Sequence, residues 1–167
     1  ADAFFVAFRL PNTFRRLFAE GTFNAAFIPS YTSAKIEEKK KGKKFADDVF
    51  SSLLLILLLL VTIVEIFTPF LIYIIAPGFL EDQIKFNLAV ELTRVTFPFL
   101  LFVSLASFFA GILNSNNKFA AAAAAPIILN VVLILSLTYS FVQELDYAKH
   151  LSYGVTLAGI IQLFFLI

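Results

Sequence analysis

Residues 49–76 read VFSSLLLILLLLVTIVEIFTPFLIYIIA, and this stretch decides the fold class of the chain. Glu65 is its only charged residue. About 20 consecutive apolar residues, each rising 1.5 Å along a helix, are enough to cross the hydrocarbon core of a bilayer. A helix on the surface of a soluble protein needs only one apolar face. The stretch therefore predicts a membrane-spanning α-helix.

Further hydrophobic segments lie on both sides of this helix, so the sequence predicts an all-α membrane protein, a polytopic helical bundle. The chain is 60% hydrophobic and its mean hydropathy is +0.89, whereas an ordinary soluble domain is about half apolar. A backbone in lipid must satisfy its own hydrogen bonds, and no segment alternates like a barrel strand. Helices are expected at about residues 3–31, 49–76, 86–113, 119–142 and 151–167.

Three prolines and a lysine-rich segment add detail to the predicted helices. Pro11, Pro69 and Pro98 fall inside predicted helices, where each removes a backbone donor and is expected to kink its helix. Residues 34–48, expected to be a loop, contain six lysines. By the positive-inside rule this loop is cytoplasmic. It is interpreted as a solvated topology signal, and a dedicated site for anionic lipids is the alternative.

The composition argues against several classes of function. The chain contains no cysteine, which rules out disulfides and thiolate metal sites. It has no phosphate-binding glycine loop, zinc-protease helix or nucleophile elbow, and His150 is its single histidine. We therefore expect no enzyme, no cofactor and no nucleic-acid partner. The lack of methionine and the apolar run through Ile167 lead us to expect a fragment of a longer protein.

A polar stripe marks the first helix. At about 100° per residue, Asp2, Arg9, Arg16 and Glu20 fall on one side, together with Asn24. Each charge at the bilayer centre costs about 2.5–3.5 kcal/mol, so four facing lipid would cost on the order of 10 kcal/mol. The stripe must face protein, water or an interface. A functional polar cavity and structural ion pairs with neighbouring helices both remain open.

Other polar and small residues receive simpler interpretations. Glu91 and Arg94 are three residues apart and are expected to form an interfacial ion pair, while Glu65 is either a cavity acid or an interfacial group. Ser104, Ser107 and Gly111, together with the alanines at 120–125, are typical of close helix packing in membranes. These small-residue positions are therefore assigned to packing.

Several motifs then resemble a known family. They are DAFFVAFRLPN at 2–12, RRLFAEG at 15–21, AFIP at 26–29, APGF at 76–79, TFP at 96–98, SLAS at 104–107, GILN at 111–114, and AP at 125–126 with Asn130. In this order they resemble the MurJ (MviN) lipid II flippases over essentially the whole chain. The resemblance implies the N-terminal lobe of a two-lobe transporter of the multidrug/oligosaccharidyl-lipid/polysaccharide exporter superfamily.

The resemblance also implies a function. It is the movement of lipid II, the undecaprenyl-pyrophosphate-linked peptidoglycan precursor, from the inner to the outer leaflet of the bacterial cytoplasmic membrane by alternating access, with membrane lipids as further partners. A coupling ion or the membrane potential is the candidate driving force. The resemblance implies Arg15 as the foremost candidate for a functional cation, with Asp2 and Glu20 as acids of the cavity. The helical wheel favours Arg16 instead, and Pro11 leaves the phase of Arg15 open.

Two other functions compete with this one. A related exporter of drugs or other lipid-linked glycans would share the architecture, although a drug exporter should show acidic cation-binding residues rather than an arginine pair. A membrane scaffold that transports nothing would pair the whole stripe and leave no water-accessible cavity.

Overall fold

A computed structural model describes residues 2–19 and 22–167, and these residues form a helical bundle without strands. The described residues form seven successive α-helices, with a short 3-10 helix at Pro77–Glu81 between the third and the fourth. They are α1 Asp2–Ala19, α2 Thr22–Glu37, α3 Lys39–Ile75, α4 Gln83–Thr96, α5 Phe99–Ser115, α6 Phe119–Val142 and α7 Tyr147–Leu166. The bounds of α6 coincide with those predicted from the sequence.

Four candidate membrane spans are present in the described residues, and they make the chain a multi-pass membrane protein. They are α3, α4 with α5, α6, and α7. Only 11% of the apolar stretch of α3, and likewise of α6, is buried inside the bundle, against 61% for α4 with α5. Most apolar side chains of α3 and α6 therefore point away from the interior of this bundle.

The prediction of a lysine-rich loop at 34–48 is wrong. Helix α2 ends at Glu37 and α3 begins at Lys39, so the segment is helical apart from Glu38. Lysine, glutamate and alanine are strong helix formers, and Lys41 pairs with Glu37 one turn away. The two helices also pack closely, since a Cβ on Gly42 would lie 2.8 Å from the Cα of Lys35.

The prolines act differently from one another. Pro98 separates α4 from α5, and the chain turns there through hydrogen bonds from Leu100 N to Phe97 O and from Leu101 N to Pro98 O, each 3.0 Å long. The segment predicted as a single helix at 86–113 is therefore two helices. Pro11 and Pro69 lie within α1 and α3, which continue through them. The predicted first helix, 3–31, is likewise divided between α1 and α2.

Helix α5 lies at the centre of the bundle, in contact with α1, α2, α3, α6 and α7. Its phenylalanines form much of the core, and the rings of Phe27 and Phe108 have their centroids 5.1 Å apart. On α1 the small residues Ala3 and Ala7 are buried against the other helices. The hydroxyl of Thr96 donates a hydrogen bond of 3.1 Å to the carbonyl oxygen of Ala7, which joins α4 to α1. This packing determines which side of α1 remains open.

Candidate polar site inside the bundle

A small pocket of about 100 Å³ lies between α1, α2, α5, α6 and α7. Among the described residues, four polar side chains line it: Arg15, Asn24, Ser107 and Gln162. Apolar side chains, most of them alanines, complete its wall. Because isolated polar groups are costly inside a membrane protein, this pocket is the principal candidate for a functional site among the described residues.

Arg15 is the charged residue among the described residues that line the pocket. Its side chain is half-buried, and its Nε donates a hydrogen bond of 3.0 Å to Oδ1 of Asn12, one turn earlier on α1. This bond orients the guanidinium group from the side of its own helix. Arg16, by contrast, is exposed. The structure therefore places Arg15 in the pocket inside the bundle and Arg16 on the open surface of α1.

Gln162 and Asn24 contribute acceptor oxygens. Gln162 is only 4% exposed, and its Nε2 donates a hydrogen bond of 2.7 Å to the carbonyl oxygen of Ala125. Its Oε1 and the Oδ1 of Asn24 are buried, and neither accepts a hydrogen bond from any residue that the structure describes. Buried acceptor oxygens without a hydrogen-bond donor are uncommon in proteins. They indicate that a group other than the described residues donates to them.

Small residues create the space that this pocket occupies. A Cβ on Gly111 would lie 2.6 Å from Oδ1 of Asn24 and 3.1 Å from Cδ1 of Phe27, so glycine lets α2 approach α5 here. Alanines at 106, 110, 122 and 125 line the pocket. Longer side chains at these positions would fill it. The small residues predicted to serve packing thus also leave room for a polar site.

The other residues predicted for the site lie apart from this pocket. Asp2, Arg9 and Arg16 are exposed on α1, on the side that the neighbouring helices leave open. Asp2 lies beside α4, where its Oδ2 is 3.5 Å from Nζ of Lys85. Glu20 lies outside the described residues. The structure thus separates the predicted set into one pocket residue, Arg15, and a polar face of α1.

The Asp2–Lys85 pair allows a stability measurement. Both side chains are largely exposed, at 71% and 41%, and exposed ion pairs contribute only about 0–1 kcal/mol. We expect Asp2→Asn to change the unfolding free energy of the full-length protein by less than about 1 kcal/mol. Thermal unfolding in detergent, with Lys85→Gln as the matched variant, measures this. A loss of several kcal/mol in either variant would contradict the assignment of a weak surface pair.

Glu91 and Arg94 do not form the expected pair. Glu91 Oε1 lies 2.9 Å from Nζ of Lys149 on α7, because α7 packs beside α4. Arg94 instead lines a larger, mostly apolar groove of about 800 Å³ between α4, α6 and α7, together with His150. Glu65 has a buried carboxylate oxygen without a hydrogen bond from the residues described.

Sequence reasoning missed Gln162. Residues 157–167 read LAGIIQLFFLI, and Gln162 is the only polar side chain among them. A single polar residue deep in an apolar span is by default a functional candidate, so this signal was available. What the sequence could not supply was the neighbour, because Arg15 and Gln162 lie on helices at opposite ends of the chain.

The helical bundle and its four candidate spans among the described residues define a multi-pass α-helical membrane protein. The family model described as lipid II flippase MurJ matches residues 1–167. The chain belongs to this family, which confirms the resemblance found in the motifs. The predicted fold class, an all-α polytopic membrane protein, is confirmed as well.

Individual relatives agree with the family match. The chain is 46% identical to a probable lipid II flippase MurJ of Rhizobium tropici, over 98% of this chain and 32% of the relative. It is 44% identical to a probable lipid II flippase MurJ of Rickettsia prowazekii, over 99% and 32%. A solved lipid II flippase MurJ in an inward closed conformation superposes with a TM-score of 0.82 at 29% identity, over 98% of this chain and 34% of that one. The chain thus spans about a third of these relatives.

Proposed function

We propose that this chain is part of the N-terminal lobe of a protein that flips lipid II from the inner to the outer leaflet of the bacterial cytoplasmic membrane, supplying precursor for cell-wall synthesis. The observation that carries the proposal is the family match over residues 1–167. Arg15, which is half-buried, supports it, because a guanidinium group suits a pyrophosphate ligand. The alternative, an exporter of drugs or other lipid-linked glycans, is not favoured, since the relatives compared are named lipid II flippases.

The proposed mechanism is alternating access, in which two lobes rock about a central site. Arginine binds the pyrophosphate through two parallel, charge-assisted hydrogen bonds, which are about twice as strong as neutral ones. Arg15 supplies one such group from within the lobe. The exposed face of α1, with Asp2, Arg9 and Arg16, lines the cavity that the substrate headgroup crosses. The polyprenyl tail stays in lipid.

The orientation of the chain follows from its lysines. Five of the six lysines between residues 34 and 48 are exposed. They lie where α2 meets α3, and by the positive-inside rule this end of the helical hairpin of α2 and α3 faces the cytoplasm. The connections at 77–82 and 143–146 then lie on the opposite side of the membrane from the cytoplasm. The driving force is a coupling ion or the membrane potential, acting on the complete protein.

Complementation tests this function. The full-length protein that contains this chain is expressed in a strain depleted of its own lipid II flippase, with the empty vector as control. We expect growth and normal cell shape to be restored, because precursor reaches the outer leaflet again. Vesicles containing the purified protein should also move fluorescent lipid II to the opposite leaflet. A protein that reaches the membrane but does neither would contradict the proposal.

A further inference from the structure

Two buried hydrogen-bond acceptors in the pocket that Arg15 lines have no donor among the described residues. Oε1 of Gln162 and Oδ1 of Asn24 are both buried without a donor from the described residues. The orientation of the Gln162 amide is fixed, because Nε2 donates to the carbonyl oxygen of Ala125 at 2.7 Å. If the amide were flipped, Oε1 of Gln162 would lie against the carbonyl oxygen of Ala125. The acceptor at Oε1 is therefore a property of this site.

Helix α6 also contributes to the wall of this pocket. Pro126 lies inside α6 and has no backbone N–H, so it cannot donate to the carbonyl oxygen of Ala122, four residues earlier. Ala122 and Pro126 both line the pocket. Acceptor oxygens from α2 and α7 thus lie in one small pocket, which Arg15 also lines.

The acceptors define the chemistry of the occupant. A buried acceptor without a donor is destabilising, so the occupant must supply N–H or O–H groups. An anion accepts rather than donates, so it does not match these two acceptors. Water donates twice and accepts twice. A pocket of about 100 Å³ holds about three waters at roughly 30 Å³ each.

We propose that this pocket is a buried hydration site through which Gln162 and Asn24 position Arg15. A water that donates to Oε1 of Gln162 accepts from the guanidinium group, which carries five N–H donors in a fixed plane. Asn12 holds the same group at Nε, from the side of α1. Gln162 is then a positioning residue for Arg15, in a role that rests on the proposed function. Its place on α7 couples the direction of the arginine to the position of that helix.

A double-mutant cycle on full-length protein tests the positioning role. Gln162→Leu keeps the volume of the side chain and removes its polar atoms. When Arg15 is retained, we expect Gln162→Leu to weaken lipid II binding about tenfold. This loss is equivalent to one charge-assisted hydrogen bond. In the Arg15→Lys background we expect less than about a twofold change, because lysine lacks the planar fork that the waters hold.

Equal weakening in both backgrounds would overturn the positioning role, since Gln162 would then act on folding alone. Gln162→Glu is the conservative variant: it keeps an acceptor at this position, and we expect it to bind lipid II more tightly than Gln162→Leu does. Thermal unfolding of each variant shows whether the bundle is intact. If the unmodified protein binds no lipid II, the proposed function fails.

Hydroxyl-radical footprinting tests the hydration without lipid II. Leu166 lines the pocket but is only 4% exposed, and Leu57 is fully buried elsewhere in the bundle. Radiolysis of buried water should oxidise Leu166 well above Leu57 in the unmodified protein. In Gln162→Leu, oxidation of Leu166 should fall to the level of Leu57. Equal oxidation of the two leucines in the unmodified protein would overturn the hydration site.

Discussion

Arg15→Ala in the full-length protein is expected to abolish growth of a strain that depends on it for lipid II flipping. The substitution removes the guanidinium group that lines the pocket, together with its bond to Asn12. Each hydrogen bond from a charged group is worth about 1.5–3 kcal/mol, and a bidentate pair therefore changes affinity by at least about 100-fold. Growth curves after depletion of the resident flippase measure the effect.

Two variants make this measurement specific. Arg16→Ala removes the neighbouring arginine, which is exposed on α1, and is expected to impair growth less. Arg15→Lys keeps the charge but not the planar fork, and is expected to grow at an intermediate rate. Membrane abundance and thermal unfolding should match those of the unmodified protein. Normal growth of Arg15→Ala would contradict the assignment of Arg15, and a severe defect in Arg16→Ala alone would transfer it to Arg16.

Gly42→Leu is expected to destabilise the protein by separating α2 from α3. A Cβ on Gly42 would lie 2.8 Å from Cα and 3.2 Å from N of Lys35, and a backbone cannot move aside as a side chain can. Overpacking of this kind costs about 1–3 kcal/mol or more, which exceeds the roughly 1 kcal/mol gained when a helical glycine is replaced. Thermal unfolding in detergent should show a clearly lower midpoint.

Gly78 provides the matched control. It is exposed, and a Cβ added there meets nothing within 4 Å, so Gly78→Leu should leave the midpoint nearly unchanged. The separation of α2 and α3 should also break the hydrogen bond from Lys35 Nζ to Asn116 Oδ1, which joins the end of α2 to the turn after α5. Equal midpoints for the two leucine variants would show that the hairpin tolerates a side chain at Gly42.

The fold class could be predicted because it depends on local composition. The apolar stretch at 49–76 is long enough to span a bilayer whatever its neighbours are. The ends of the helices were harder to predict. The charge of the lysines at 34–48 predicts a loop outside the bilayer, yet lysine is also a good helix former, and this segment is helical apart from Glu38.

The site could be predicted only in part, for a geometric reason. A helical wheel reports which side of α1 a residue occupies, and it separated Arg15 from the stripe of Asp2, Arg9 and Arg16. It could not report that the pocket lies on the side of Arg15, because that depends on how α5, α6 and α7 pack. The family motif, which retains information from complete proteins, supplied Arg15.

The hairpin of α2 and α3 offers a practical use in structure determination. Helix α3 has 37 residues and so measures about 55 Å, whereas the hydrocarbon core is about 30 Å thick. Its basic first turns therefore project beyond the bilayer as a continuous rod, joined to α2 by Glu38 alone. A rigid helical fusion or an antibody fragment attached at this end would move with the bundle. That would give a small membrane protein an external marker for aligning particle images.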